Sequence, residues 1–163
     1  MSAVRYRVQI DWDADGDFDE VEEALDRDVI AARWGLGLAD ALDSVAAPSW
    51  AAVLLRDPDR RYAPENADGP LYGGLVPRRK MRIVSTYDGT TRTHFTGWLD
   101  RIEPRPDRTA VLHAAGVEAL LARAEVFLPL LLNQTADAVI AAALTQVAYP
   151  PAISGYWLLG TAR

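Results

Sequence analysis

The run Asp11-Trp12-Asp13-Ala14-Asp15-Gly16-Asp17-Phe18-Asp19-Glu20-Val21-Glu22 fits D-x-[DN]-x-[DN]-G-x5-E at every specified position. The chemistry it suits is that of a hard cation. Calcium takes about six to eight oxygens at roughly 2.3–2.6 Å, and carboxylates at alternate residues of a tight turn converge on one point. Gly16 permits the sharp bend. By this pattern Asp11, Asp13 and Asp15 donate side-chain oxygens, Asp17 its backbone carbonyl, Asp19 a direct or water-mediated contact, and Glu22 a bidentate carboxylate. Phe18 is the apolar residue that tucks the loop into the fold. Eight acids between Asp11 and Glu23 repel one another, which makes a cation attractive. One feature departs from a helix–loop–helix hand: a strand enters the loop, and nothing of helical length clearly leaves it. The other reading is a solvated acidic hairpin that binds nothing specifically. A calcium ion here is structural and implies no catalysis.

Other chemistry is thinly provided. The chain has two histidines, His94 and His113, one lysine, Lys80, and no cysteine. Disulfides, thiolate metal sites and a cysteine nucleophile are therefore excluded, while the redox compartment stays undetermined. Both histidines fall in strand-like stretches, where a structural role on a sheet face is expected. No phosphate-binding glycine loop, zinc-protease helix or nucleophile elbow occurs. A hydrolase using carboxylates alone would need two acids facing each other in a pocket, and no pair is singled out. The expectation is that the chain is not an enzyme.

Charge and length narrow the class further. A net charge of −6 argues against a general nucleic-acid binder. The one basic cluster, Arg78, Arg79, Lys80 and Arg82, is too small for a nucleic-acid footprint. It reads as a salt-bridged strand edge or a contact to an acidic neighbour. No apolar run approaches the ~20 residues that span a bilayer, and the first ten residues lack the apolar core of a signal peptide. With 163 residues, half of them apolar, the chain suits one ordinary domain, or one domain plus a small appendage.

The elements that must carry the acidic loop are mostly strands. Residues 4–12 alternate strictly, with Tyr6, Val8, Ile10 and Trp12 on one face. Residues 29–34 and 49–56 read as two more strands. Residues 57–77 hold Pro58, Pro64, Gly69, Pro70, Gly73, Gly74 and Pro77, and so form an irregular loop. That loop is too apolar to be a floppy linker, and we expect it to pack. Residues 80–87 are a strand, Asp88-Gly89 a hairpin turn, and residues 91–103 a long strand with a bulge or close backbone approach at Gly97. Residues 109–114 return, giving an antiparallel meander. Helical spacing appears only late, in Val117, Leu120, Leu121 and Ala124, and then in Ala136, Val139, Ile140, Ala143, Leu144 and Val147 after a Thr135 cap. Pro150-Pro151 ends the second helix, and residues 153–163 are an apolar tail that suits an intersubunit arm or the start of more protein. The five tryptophans read as core aromatics or, more sharply, as a subunit interface, with three or more assigned to the core. The expected fold is α+β: a β-rich antiparallel sandwich or barrel with two helices in the C-terminal third. We place the β-rich domain at residues 1–128 and a helical appendage with the apolar tail at residues 129–163.

Four segments together resemble the N-terminal region of tailed-bacteriophage minor tail proteins. They are IDWDADGDFDE, DVIAARWGLG, LLRDPDRRYAPENADGPLYGGLVPRRKMRIV and TRTHFTGWLDRIEPRPDR. The most specific part is R-D-P-D-x-R-Y-x-P-E-N followed by G-P-L-Y-G-x-L-x-P and a basic strand, with F-x-G-x-[LI]-D-x-I-E-P after it. The resemblance runs from about Val4 to Leu159. It implies a tail-tube or baseplate-hub kind of module, a virion structural component of the tail tip made in the host cytoplasm. It also implies assembly as a homo-oligomeric ring in contact with other tail proteins. The alternative function is a calcium-stabilised β-sandwich binding module for carbohydrate or surface attachment.

Overall fold

The computed structural model describes residues 4–37, 47–129 and 134–146. The chain divides into two compact units, Met1–Leu120 and Leu121–Arg163. In the first, six strands form one antiparallel sheet: β1 (Arg5–Ile10), β2 (Val29–Gly35), β3 (Trp50–Arg56), β4 (Lys80–Tyr87), β5 (Thr90–Pro104) and β6 (Thr109–Ala115). Their order across the sheet is β1-β4-β5-β6-β3-β2, so the expected meander is its centre. The sheet curls into a half-barrel. Tyr6 on edge β1 and Trp34 on edge β2 bring their ring centroids within 6.3 Å across the opening. Register shifts leave one extra residue each at Ile30, His94 and Asp100, and such bulges add local bend and twist.

The concave face carries every second residue, as period-two patterning requires. Val8 and Ile10, Ala51, Val53 and Leu55, Met81 and Ile83, Phe95 and Leu99, and Ala110, Leu112 and Ala114 make one core. Gly97 interrupts the large residues of β5 for a steric reason. A Cβ there would lie 2.5 Å from the Ala115 carbonyl oxygen and 2.6 Å from the Phe95 ring. Gly97 therefore marks a close backbone approach, and the bulges flank it. Asp88 and Gly89 make the two-residue turn between β4 and β5, with φ of 48° and 76°, as left-handed hairpin turns need.

Residues 57–79 close one end of the half-barrel. Backbone N–H groups of Arg60, Ala63, Asn66, Gly69 and Tyr72 donate in turn to the carbonyls of Asp57, Arg60, Ala63, Asn66 and Gly69. These are turns chained at three-residue steps. Pro58, Pro64 and Pro70 each stand second in a turn, where a fixed φ is favourable. The chain of turns delivers Tyr62, Leu71 and Leu75 into the core, so the loop packs. Tyr62 is fully buried; its hydroxyl donates to Asp28 Oδ2 at 2.6 Å and its N–H to Asp57 Oδ1 at 3.3 Å. Burial first, and then Asp28, push the phenol well above its ordinary range.

The basic cluster is not an edge. β4 lies between β1 and β5, and Lys80 and Arg82 lie over the Phe18 ring. Of the tryptophans, Trp12 is buried, Trp34 packs against the core, Trp98 is half-buried and Trp50 is exposed. Two helices follow the sheet, α1 (Val117–Ala122) and α2 (Ala136–Gln146), completing an α+β chain. In α2 Val139, Ile140, Ala143 and Leu144 form a half-buried stripe. Val147, the Pro150-Pro151 stop, the apolar tail and Trp157 lie outside the described residues.

Candidate metal centre

The acidic loop leaves β1 at Asp11, which is buried and whose N–H donates to the Lys80 carbonyl at 3.0 Å. From there the loop winds on its own carboxylates. Asp11 Oδ1 accepts from Ala14 N at 2.6 Å and Asp11 Oδ2 from Gly16 N at 3.1 Å. Asp13 accepts from Asp15 N, Asp15 from Asp17 N, and Asp17 from Asp19 N, at 3.1–3.3 Å. Gly16, at φ 101°, supplies the bend that side chains disfavour. A single 3-10 turn, Val21–Glu23, ends the loop.

Contacts through Phe18 fasten the loop to the sheet, and one from Trp12 closes the loop on itself. Gln9 Nε2 donates to the Phe18 carbonyl at 3.1 Å, and Arg82 Nε donates to Gln9 Oε1 at 2.9 Å. The Arg82 guanidinium stands 4.1 Å from the Phe18 ring centroid, a cation–π geometry. Trp12 Nε1 donates to the Glu22 carbonyl at 3.2 Å. Phe18 thus docks the loop as the pattern predicts, and the loop covers Gln9, which strict alternation would leave facing water.

Two groups of carboxylates result. Oxygens of Asp11, Asp13, Asp15 and Glu23 lie within 4.8 Å of one another, as do oxygens of Asp17, Asp19, Glu20 and Glu23. The expected residues are divided: Asp11, Asp13 and Asp15 fall in the first group, and Asp17 and Asp19 in the second. Glu22 belongs to neither group. It lines a cavity of about 430 Å³ with Trp12, Asp13 and Arg79, beside Glu20 and Glu23. The reason is local: Glu20 is the N-cap of the 3-10 turn and pairs with Glu23 in a capping box, which holds these two side chains together, and Glu22 takes no part in it. Sequence reasoning missed both residues. The signal was the absence of a helix leaving the loop, since the twelfth-position rule relies on that helix.

Glu23 is the unusual member. It is 2% exposed, its Oε1 has no hydrogen-bond partner among the described residues, and its Oε2 accepts only a 3.3 Å bond from Glu20 N. Burial first, then the Glu20 carboxyl and Asp11, push it up to about 7. Asp17 is raised too, chiefly by its contact with the Asp19 carboxyl. Carboxylates crowded this way cost free energy unless protons or a cation separate them. The cluster can hold a metal ion, and its donors are all oxygen, the chemistry of magnesium, calcium or manganese.

The histidines have structural partners. His94 Nε2 lies 2.7 Å from Ser85 Oγ with its ring between Tyr6 and Trp34. His113 Nε2 lies 3.5 Å from Glu103 Oε2. Among the described residues, no helix is long and apolar enough to cross a membrane. No protein-family description and no curated protein matches the chain.

Proposed function

We propose that the chain is a structural subunit of a bacteriophage or prophage-derived tail, stabilised by calcium in the acidic loop, which associates with copies of itself and with other tail proteins and carries out no reaction. The observation that carries this reading is the open half-barrel. Edge strands β1 and β2 flank an apolar groove of about 420 Å³ lined by Tyr6, Val8, Val29, Ile30, Trp34 and Ile83. Tyr6 is 59% and Ile30 50% exposed at its rim. β2 presents an open strand edge beside this apolar surface, which invites pairing with another chain, whereas residues 24 and 25 already cover part of the outer edge of β1.

The residues behind the tail-protein resemblance support the same reading, because they build structure. The R-D-P-D-x-R-Y-x-P-E-N run forms the chained turns around Tyr62, and Phe95, Gly97 and Leu99 of F-x-G-x-[LI]-D-x-I-E-P lie on the inner face of β5. Light scattering of the purified chain in calcium tests the proposal. We expect a mass that rises with concentration in whole multiples of 17.9 kDa. A monomer that persists at high concentration and is retained on immobilised carbohydrate overturns it in favour of the binding module.

A further inference from the structure

The two carboxylate groups share one residue, and that residue keeps one carboxylate oxygen without a hydrogen-bond partner among the described residues. Glu23 stands in both sets, is 2% exposed and keeps Oε1 unsatisfied. A buried unpaired carboxylate oxygen carries a desolvation cost that something must offset. The sets otherwise draw on different stretches: Asp11, Asp13 and Asp15 precede or flank the Gly16 bend, whereas Asp17, Asp19 and Glu20 follow it. A carboxylate has two oxygens and can serve two cations at once. We propose that the loop is a two-cation centre in which Glu23 bridges one ion held by Asp11, Asp13 and Asp15 and a second held by Asp17, Asp19 and Glu20. This rests on the calcium reading and extends its stoichiometry. Charge agrees. One divalent ion neutralises a quarter of the eight carboxylates between Asp11 and Glu23, and two neutralise half. Both sets contain only oxygen donors, so the ligand class is a pair of hard divalent cations, calcium foremost.

Native mass spectrometry and calorimetric titration of the full chain with calcium chloride test the count. We expect two ions per chain, one ion in the D17N/D19N double variant, one in D13N/D15N, and loss of both sites in Glu23→Gln. Asp17 and Asp19 are exposed, so D17N/D19N keeps the fold and reads the second ion cleanly. One ion in the parent chain, unchanged in D17N/D19N, overturns the two-cation centre and leaves the single calcium site standing. No bound ion at millimolar calcium overturns both.

Discussion

Replacing Glu23 with glutamine should stabilise the metal-free chain and abolish its response to calcium. In the unfolded chain this carboxyl ionises near 4.5; in the fold it does so at about 7. Between those values the folded state holds the proton that the unfolded state has released. Stability of the metal-free protein therefore falls as pH rises from about 4.5 to about 7 and levels off above. At neutral pH the accumulated cost is about 3 kcal/mol, from roughly 1.4 kcal/mol per unit of displacement. Glutamine keeps the shape and carries no charge, so most of that cost disappears. For a chain of this length the gain corresponds to a melting temperature roughly 6–12 °C higher in chelator. Calcium should reverse the ranking. At a hundredfold excess over Kd one site adds about 2.7 kcal/mol to the parent, whereas the variant has lost its bridging ligand. Differential scanning fluorimetry in chelator and in calcium, with circular dichroism to confirm the fold, reads both arms. A variant that melts below the parent in chelator, or that responds to calcium as the parent does, refutes the reasoning.

The remaining predictions concern the frame around the loop. Tyr62→Phe removes a bond to a charged acceptor and should cost about 1.5–3 kcal/mol in urea unfolding, with no change in calcium stoichiometry. Gly97→Ala forces a Cβ against the Ala115 carbonyl and should cost about 1–3 kcal/mol in the same assay. An unchanged midpoint would mean β5 and β6 can separate there. Ile30→Lys places a charge at the open edge and should lower the light-scattering mass while leaving the melt within about 0.5 kcal/mol of the parent. Chelation at 25 °C should also lower that mass before any loss of far-ultraviolet dichroism; an unchanged mass would separate the loop from assembly.

The fold was legible where one physical constraint dominates. Strict alternation at Val8, Ile10, Met81 and Ile83 can satisfy only a one-sided strand, and Asp88-Gly89 can make only a tight turn between strands. Prolines 58, 64 and 70 announced an ordered loop, because each presets a turn. What escaped was decided by contacts between distant segments. Alternation puts Gln9 in water; it is buried because Phe18 folds back over it and Arg82 reaches across from β4. Arg78 to Arg82 looked like a guarded edge, yet nothing local to residues 80–87 could tell that β1 pairs on one side and β5 on the other. In the loop, the spacing singles out aspartates whose carboxylates wind the backbone: Asp13, Asp15 and Asp17 each accept the N–H two residues ahead, and Asp11 those of Ala14 and Gly16. Glu23 rather than Glu22 joins the carboxylate groups because its direction depends on the capped 3-10 turn, which the pattern does not encode.

The placement of the acidic loop in the chain gives its chemistry a mechanical consequence. β1 and β2 follow each other in sequence but lie at opposite edges of the sheet, so residues 11–28 span the opening of the half-barrel. Their return is stitched to β1: Leu25 N–H donates to the Val8 carbonyl at 2.9 Å, Ala24 bridges Gln9, and Arg7 pairs with Asp26 at 3.3 Å. Arg7 and Asp26 are both substantially exposed, and such pairs contribute little. The strength of the connection therefore resides in buried Leu25 and in the carboxylate cluster just before it. Without a cation, eight crowded carboxylates repel one another in the loop that joins the edges; with the proposed cations, the seven in the two groups would become the ligands that hold it. An ion bound there fixes the span between β1 and β2, and so fixes the groove at which a neighbouring chain would pair. On the proposed function, stability and assembly would then answer to one ligand, because one loop serves both.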